Sequence, residues 1–381
     1  MKILVTGAKG FVGKNLCLTL RTFRLQANHP LANETIEVFE CDLDTPREQL
    51  DAWLNVCDFV FHLAGVNRPK DASEFKTGNV AFTEDILERL VTRAVPVLLA
   101  SSTQAALDND YGRSKKAAED AVFSYGAKTG ANVYVYRFAN VFGKWCRPNY
   151  NSAVATWCHN IAHDLPIVVR DPDATVTLIY IDDLVECITS HLIKCEPITV
   201  SHPLLVEPSY TKTLGEITDI LKTFREEPRT LQIPNQADGF TKKLYATYLS
   251  YLPEDEFAYP VLMHCDARGS FTELFHTKDR GQVSVNVSKS GIIKGQHWHH
   301  TKHEKFCVVS GKGLIQFRKV DQPNQPIIEY RVSGEKIEVV RIPPGYTHNI
   351  INEGKTDMVT VMWANEEFDP AYPDTFHEDV K

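Results

Sequence analysis

Four side chains near the C-terminal end of the chain have the types and spacing of a metal site. They are His297, His299, Glu304 and His348. Residues two apart on a β-strand project from the same face, so His297 and His299 can point together, with Glu304 on the next strand and His348 on a distant one. Three neutral imidazoles and one carboxylate suit Zn²⁺, although iron, manganese and nickel accept the same ligands. The sequence therefore predicts a divalent metal centre, with Zn²⁺ as the first choice.

A glycine-rich turn at the other end of the chain predicts a different chemistry. Residues 2–6 are apolar and β-branched, and the segment that follows the turn has helical periodicity. Glycine lets the backbone approach a pyrophosphate, and a helix N-terminus offers it free N–H groups, so this arrangement is typical of dinucleotide binding. The spacing is G-x2-G-x2-G rather than the usual G-x-G-x2-G. The predicted cofactor contacts here are Gly7, Gly10, Phe11, Val12 and Gly13.

The choice between NADPH and NADH depends on the residues after the second predicted strand. Asp42 lies there, and an acidic side chain at this point favours a free ribose 2′-OH, whereas an arginine favours a 2′-phosphate. No arginine is adjacent, but Arg21, Arg24, Arg47 and Arg68 belong to the wider neighbourhood. Asp42 can alternatively lie near the adenine, so the sequence leaves both cofactors open.

Further motifs follow the glycine turn in a recognisable order. Tyr111 and Lys115 are four residues apart, so one helical turn would place both on the same face. The other motifs are residues 62–65, 79–80, 101–103, 137–143 and 180–183. Taken together, these motifs resemble the extended, nucleotide-sugar-handling branch of the short-chain dehydrogenase/reductase family, over about the first 240 residues.

That resemblance implies roles for particular side chains. Lys115 would hold the nicotinamide ribose and favour the phenolate of Tyr111, which would exchange a proton at the sugar oxygen. Ser102 would hydrogen-bond the reacting oxygen, with Thr103 as the nearest substitute. Only eight residues separate Ser102 from Tyr111, fewer than in relatives, so the shape of the sugar pocket stays open. Further cofactor contacts would be Leu63, Ala64, Gly65 and Asn79, and substrate contacts Asn140 and Arg147.

The metal motif itself resembles the double signature of the cupin barrel. Residues 291–311 follow G-x5-H-x-H-x4-E-x6-G, and residues 343–352 follow P-x-G-x2-H-x3-N, with the preceding glycine displaced to Gly334. An entry segment at 266–273 is similar to that of 4-keto-sugar 3,5-epimerases, which are cupins. This resemblance implies that Arg268 and Lys294 grip a nucleotide diphosphate.

Epimerisation beside a ketone requires removal of a C–H proton, and a divalent ion can stabilise the enolate oxygen that forms. The resembling epimerases lack a metal and use the core histidine as their base. If His297 binds metal, it cannot also be that base. The remaining candidates are His300, His303 and Tyr346, and Tyr346 is also expected to contact the substrate.

Longer strings, at 142–151, 248–253, 279–284 and 297–302, resemble bifunctional capsular-polysaccharide enzymes that fuse such a reductase to a zinc cupin epimerase. The resemblance implies C3 epimerisation of a UDP-2-acetamido-2,6-dideoxy-4-keto-hexose, then NADPH-dependent C4 reduction to UDP-2-acetamido-2,6-dideoxy-L-talose, on the route to UDP-N-acetyl-L-fucosamine. One alternative is an NAD-recycling nucleotide-sugar epimerase or dehydratase whose cupin serves only for dimerisation. A protein that binds sugar without catalysis is the other, although the intact Tyr111, Lys115 and four metal-ligand candidates argue against it.

The elements that must position these residues predict an α/β part followed by an all-β part. With 381 residues, the chain exceeds what one core usually supports. Apolar strands alternate with helical segments up to about residue 200, which predicts a doubly wound parallel sheet of the Rossmann type. Short β segments from about residue 257 predict an all-β barrel, and the resemblance of the metal motif implies that this barrel is a cupin jelly roll. Residues 226–245 are expected to connect the two parts. The predicted domains are an NAD(P)-binding reductase domain, 1–245, and a cupin epimerase domain, 246–381.

Composition restricts the partners and the compartment. A net charge of −8 gives no reason to expect nucleic-acid binding. The nine cysteines are scattered and lack C-x-x-C spacing, which favours reduced thiols in the cytoplasm. No apolar run is long enough to cross a membrane, and no signal peptide is evident. We expect a cytoplasmic homodimer that binds a UDP-sugar.

Overall fold

The structure, a computed structural model, describes residues 1–71, 73–193, 202–320, 322 and 324–381. Its contacts divide the chain into two compact units. The first unit contains Met1–Leu221 and Lys243–Leu252, and the second contains Lys222–Lys242 and Pro253–Lys381. The single domain boundary at 245/246 stays a prediction, since these units interleave around it. No helix within the described ranges is both long and apolar enough to cross a membrane.

A parallel five-stranded sheet forms the centre of the first unit. Its strands are β1 (Lys2–Thr6), β2 (Glu37–Cys41), β3 (Phe59–His62), β4 (Val97–Ser102) and β5 (Val133–Phe138), in the order β2-β1-β3-β4-β5. Apolar residues pack on both faces: one cluster includes Leu16 and Tyr134, and another includes Leu50 and Val122. Strands buried on both faces are typical of a sheet covered by helices on each side. The predicted doubly wound Rossmann-type sheet is confirmed.

Helices and a small second sheet complete this part of the chain. The helices are α1 (Phe11–Thr22), α2 (Arg47–Leu54), α3 (Ser73–Phe75), α4 (Phe82–Leu90), α5 (Asp110–Thr129), α6 (Ala153–Ala162), α7 (Ile181–Thr189), α8 (Leu214–Thr230) and α9 (Gly239–Leu249). The small sheet contains β6 (Asn140–Phe142), β7 (Thr175–Tyr180) and β8 (Ser209–Thr213).

The segment 226–245, which is predicted to connect the two parts, is helical for most of its length. Helix α8 continues to Thr230, with Pro228 inside its last turn. Helix α9 begins at Gly239 because the carboxylate of Asp238 accepts a hydrogen bond from the Thr241 N–H (2.8 Å) and so caps the helix. The residues between these two helices are not helical, and both helices extend into the predicted connection because a proline near a helix end and a capped glycine do not prevent helix formation.

Two antiparallel sheets form the second unit. The strands are β9 (Met263–Asp266), β10 (Gly269–Thr277), β11 (Gly281–Ser288), β12 (Ile293–Trp298), β13 (Glu304–Ser310), β14 (Lys312–Lys319), β15 (Ile328–Ser333), β16 (Val339–Ile342), β17 (Tyr346–Asn352), β18 (Met358–Ala364) and β19 (Phe376–His377). Their orders are β16-β13-β18-β11-β10-β9 and β15-β14-β17-β12-β19. Phe306, Ile315 and Ile350 belong to the buried apolar cluster of this unit. The predicted cupin-type barrel is confirmed.

Candidate active sites

Helix α5 brings Tyr111 and Lys115 to the carboxyl end of the parallel sheet. The helix begins at Asp110, because the side chain of Asn109 accepts a hydrogen bond from the Gly112 N–H (2.7 Å) and caps it. A Cβ at Gly112 would lie 2.3 Å from the Leu107 carbonyl oxygen, so only glycine permits this close packing. Tyr111 therefore lies in the first turn and Lys115 one turn later, on the same side.

Burial changes the pKa values of both groups. It raises the pKa of Tyr111, and a hydrogen bond with Ser102 acts in the opposite direction. Burial also lowers the pKa of Lys115 to about 8, whereas the charge of Glu119 acts to raise it. The Lys115 Nζ donates a hydrogen bond to the Ala100 carbonyl oxygen (3.0 Å), near the end of β4. The phenol thus keeps its proton at neutral pH beside a cation of unusually low pKa.

Glu119 is a buried carboxylate beneath this site that the sequence analysis missed. Its side chain has no exposed surface, and it accepts hydrogen bonds from Arg137 (2.8 and 2.7 Å) and from the Ser101 hydroxyl (2.5 Å). These contacts join α5, β4 and β5 next to Ser102. The available signal was its position four residues after Lys115, on the same helix face.

A cavity of about 790 Å³ in the first unit collects most of the predicted cofactor and substrate residues. The glycine turn forms one wall: Gly7 has a φ of +69°, and a Cβ at Gly13 would lie 2.2 Å from the Gly7 carbonyl oxygen. The predicted residues that line the cavity are Gly7, Gly10, Phe11, Val12, Gly13, Leu63, Gly65, Ser102, Thr103, Tyr111, Lys115, Asn140 and Arg147.

Asp42, Ala64 and Asn79 do not line this cavity. The two carboxylate oxygens of Asp42 accept hydrogen bonds from the N–H groups of Lys9 and Leu43 (both 2.8 Å), so Asp42 holds the glycine turn. The amide of Asn79 accepts from the Val66 N–H (2.7 Å) and donates to the Val66 carbonyl oxygen (3.0 Å). Both side chains thus support the cavity from outside, and their cofactor contacts stay predictions.

The second unit brings the four predicted metal ligands together. Each of the four residues offers one possible ligand atom, and these four atoms all lie within 4.8 Å of one another; the residues are His297, His299, Glu304 and His348. Antiparallel pairing of β12 with β17 sets His297 directly opposite His348, next to an irregularity at Gln296, whose φ is +63°. Such a bulge re-aims the following side chain. His299 lies just beyond β12 rather than on it, unlike the predicted placement of both histidines on one strand.

The chemistry of these four residues fits a divalent metal ion. The buried atoms His299 Nε2, Glu304 Oε2 and both ring nitrogens of His348 have no hydrogen-bond partner within the described part of the chain. Buried polar atoms are costly to leave unpaired, by about 1–3 kcal/mol each, unless a ligand satisfies them. Burial, with the neighbouring His348, lowers the pKa of His297 to about 4, which favours the neutral imidazole that a metal requires.

The protonation state of Glu304 also fits. Burial alone would raise the pKa of Glu304, but interactions with His299 and His348 outweigh it and hold that pKa well below its usual range. Glu304 Oε2 lies 3.6 Å from His299 Nε2 and 3.3 Å from His348 Nε2. The carboxylate is therefore ionised and is positioned among the imidazoles.

A second contact that sequence reasoning missed orients His299. The His299 Nδ1 donates a hydrogen bond to the Asp374 carbonyl oxygen (2.6 Å), which leaves Nε2 as the ligand atom. The Asp374 carboxylate accepts hydrogen bonds from the N–H groups of His300 (2.9 Å), Thr301 (2.9 Å) and Lys302 (2.8 Å). No motif includes Asp374, so no sequence pattern predicted this contact.

The buried side of β11 is polar rather than apolar. Gln282, Ser284, Asn286 and Ser288 are buried, whereas the intervening valines are partly exposed. Asn286 accepts a hydrogen bond from Lys294 Nζ (2.5 Å), so Lys294 joins this polar surface. An inner strand face of amides and hydroxyls suits a sugar, because it offers both donors and acceptors.

The other predicted residues of the second unit have different surroundings. Arg268 is exposed and pairs with Asp266 (2.6 Å), and its charge is near enough to Lys294 to act on the pKa of that lysine. Burial is the main reason why the Lys294 pKa is lowered. Tyr346 is partly buried against the apolar cluster, whereas His300 and His303 are exposed.

Comparisons with known proteins match two parts of the chain to two families. Residues 3–201 match the NAD dependent epimerase/dehydratase family, and residues 264–376 match the polysaccharide biosynthesis C-terminal domain. The chain is 44% identical over 378 residues to a UDP-2-acetamido-2,6-beta-L-arabino-hexul-4-ose reductase of Pseudomonas aeruginosa, covering 99% of this chain and 98% of that protein.

Solved structures give the same result over the full length. The capsular polysaccharide assembling protein CapF of Staphylococcus aureus is 49% identical, with a TM-score of 0.90 and complete coverage of both chains. A structure of CapF with the inhibitor 3-isopropenyl-tropolone is 46% identical, with a TM-score of 0.84 and complete coverage of both chains. The chain therefore belongs to the NAD-dependent epimerase/dehydratase family, in the branch that carries a polysaccharide biosynthesis C-terminal domain and includes CapF.

Proposed function

We propose that this chain is a UDP-sugar oxidoreductase of capsule biosynthesis with two activities. The second unit would epimerise C3 of a UDP-2-acetamido-2,6-dideoxy-4-keto-hexose, and the first would reduce C4 to give UDP-2-acetamido-2,6-dideoxy-L-talose, on the route to UDP-N-acetyl-L-fucosamine. The observation that carries the proposal is the meeting of Tyr111, Lys115 and Ser102 with the glycine turn at one cavity. The Pseudomonas relative, a keto-sugar reductase by name, supports the same reaction class.

In the reductase step, bound NADPH, or alternatively NADH, would supply a hydride to C4. Tyr111 would donate its proton to the C4 oxygen as the ketone becomes an alcohol, because its raised pKa keeps the phenol protonated at neutral pH. Ser102, which contacts Tyr111, would donate a hydrogen bond to the same oxygen. The charge of Lys115 would stabilise the phenolate that remains after proton transfer.

In the epimerase step, removal of the C3 proton leaves negative charge on the C4 oxygen. A Zn²⁺ or other divalent ion, held by His297, His299, Glu304 and His348, would act as a Lewis acid toward that charge. The polar residues of β11 would orient the sugar, and Lys294 with Arg268 would bind its diphosphate. Among the candidate bases, only Tyr346 is partly buried, whereas His300 and His303 are exposed.

Product analysis tests this function. The full chain would be incubated with a UDP-4-keto-6-deoxy-N-acetylhexosamine and either NADPH or NADH, and the product identified by NMR. Stoichiometric cofactor oxidation and a 6-deoxy-L-talo product are expected. Catalysis without net oxidation would instead identify an epimerase that recycles its hydride. We also propose a cytoplasmic location and a homodimer, and sedimentation analysis of the purified chain would test the homodimer.

A further inference from the structure

Two arginines share one aromatic ring at the cavity of the first unit. The Cζ atoms of Arg68 and Arg147 lie 5.7 and 5.4 Å from the centroid of the Tyr150 ring. Guanidinium groups at such distances are attracted by the ring face. The Tyr150 hydroxyl donates a hydrogen bond to Asn67 Oδ1 (3.1 Å), which fixes the ring. Arg68, Tyr150 and Arg147 are called the arginine clamp below.

The charged side chains that line this cavity are all positive. Among the residues that the structure describes, the lining contains five cations and no carboxylate; the cations are Lys9, Lys14, Arg68, Lys115 and Arg147. The whole chain has a net charge of −8, so this concentration of positive charge is local. Among the described residues, neither guanidinium of the clamp has a carboxylate partner. Like charges held near one ring repel each other, and an anion between them would relieve that repulsion.

Two diphosphates must be accommodated if the proposed reduction takes place, one from the cofactor and one from the substrate. The glycine turn and the N-terminus of α1 suit the cofactor diphosphate, and Lys9 and Lys14 belong to these two elements. Lys115 is directed to the Ala100 carbonyl oxygen at the reacting end of the cavity. The cations of the cavity that remain are Arg68 and Arg147.

We propose that Arg68 and Arg147 together bind the diphosphate of the nucleotide-sugar substrate, while the Tyr150 ring holds both guanidiniums in position. This inference rests on the proposed function, and it adds Arg68 and Tyr150 to the substrate site. Arginine suits the task because its planar fork of N–H donors matches two phosphate oxygens at once.

Inhibition by UDP and by uridine distinguishes phosphate binding from base binding. In Arg68→Ala and Arg147→Ala, the inhibition constant of UDP against NADPH oxidation should rise about tenfold or more, because a charge-assisted hydrogen bond is lost. The uridine constant should stay within about twofold, since uridine has no phosphate. The KM for NADPH should be unchanged. Lys70→Ala is the matched control: it removes an exposed positive charge two residues from Arg68, outside the cavity lining, and should change none of these constants.

Two results of the inhibition assay would overturn the clamp. A raised KM for NADPH with an unchanged UDP constant would assign the arginines to the cofactor, and an equal loss for uridine and UDP would assign them to the base. Calorimetry of UDP binding, with NADPH present, provides a readout without catalysis. It would use full-length Arg268→Ala, which lacks a proposed diphosphate contact of the second unit, with and without Arg68→Ala or Arg147→Ala. If UDP affinity depends on both arginines but the unmodified chain oxidises no NADPH, the proposed function is rejected and the clamp is retained. If UDP affinity is independent of both arginines, the clamp is rejected.

Discussion

At the scale of single residues, burial determines which groups can donate a proton. Tyr111 has a raised pKa because it is buried, and Lys115 has its pKa lowered to about 8 for the same reason. At neutral pH the phenol is therefore protonated and the neighbouring ammonium is mostly charged. That combination suits reduction of a ketone, because the proton and the stabilising charge are both present before the hydride arrives.

Replacing the phenol tests this assignment. In Tyr111→Phe, NADPH oxidation should fall by at least about a hundredfold, the lower end for loss of general acid catalysis. The metal content of the second unit should be unchanged, which provides the internal control. The reaction would be followed by NADPH absorbance with saturating keto-sugar. Turnover close to that of the unmodified chain would show that another group donates the proton.

The pH dependence tests the role of Lys115. A lysine with its pKa lowered to about 8 is charged below that pH and neutral above it, so kcat/KM should fall as pH rises through about 8. In Glu119→Gln this fall should begin at a lower pH, because the carboxylate acts to raise the Lys115 pKa. Asp120→Asn, which removes an exposed carboxylate from the same helix, should leave the pH profile of kcat/KM unchanged. A Glu119→Gln profile that is unmoved or shifted upward would contradict this coupling.

At the scale of elements, the sequence predicts what short-range patterns determine. The glycine turn, the four-residue spacing of Tyr111 and Lys115 and the metal ligands were all visible because their chemistry fixes residue type and spacing. Asp374 could not be predicted, since it contacts His299 across 75 residues through a backbone carbonyl group that any residue has. The end of α8 at Thr230 and the beginning of α9 at Gly239 were not predicted, because proline and glycine were interpreted as loop signals. The cap at Asp238 allows α9 to begin at a glycine.

The segment around Asp374 provides a prediction at this scale. Asp374→Ala removes the acceptor of three backbone N–H groups, so the segment around Asp374 should become more mobile and should hold His299 less firmly. The Zn²⁺ affinity should therefore fall about tenfold or more. Asp374→Asn keeps one acceptor and should lose less. Competition with a chelator of known affinity measures both, and Asp379→Ala, an exposed residue nearby in sequence, serves as the control. Unchanged affinity in Asp374→Ala would mean that this segment does not position the ligand.

At the scale of the whole molecule, the proposed function assigns one chemistry to each of the two compact units. Each unit has its own buried core and its own group of reactive side chains. The proposed order of reactions follows from their chemistry, because C3 can lose a proton only while C4 is still a ketone. Once C4 is reduced, the neighbouring C–H bond is no longer acidic, so epimerisation must precede reduction.

Solvent exchange at C3 tests this account most directly. Keto-sugar supplied in heavy water without any nicotinamide should gain deuterium at C3, because proton removal needs no hydride. Tyr111→Phe should exchange at the same rate as the unmodified chain, whereas His348→Ala, and chelation of the unmodified chain, should abolish exchange together with metal binding. Mass spectrometry of the recovered UDP-sugar measures the label. Exchange that remains equally fast after chelation and in His348→Ala would contradict metal-assisted epimerisation in the second unit.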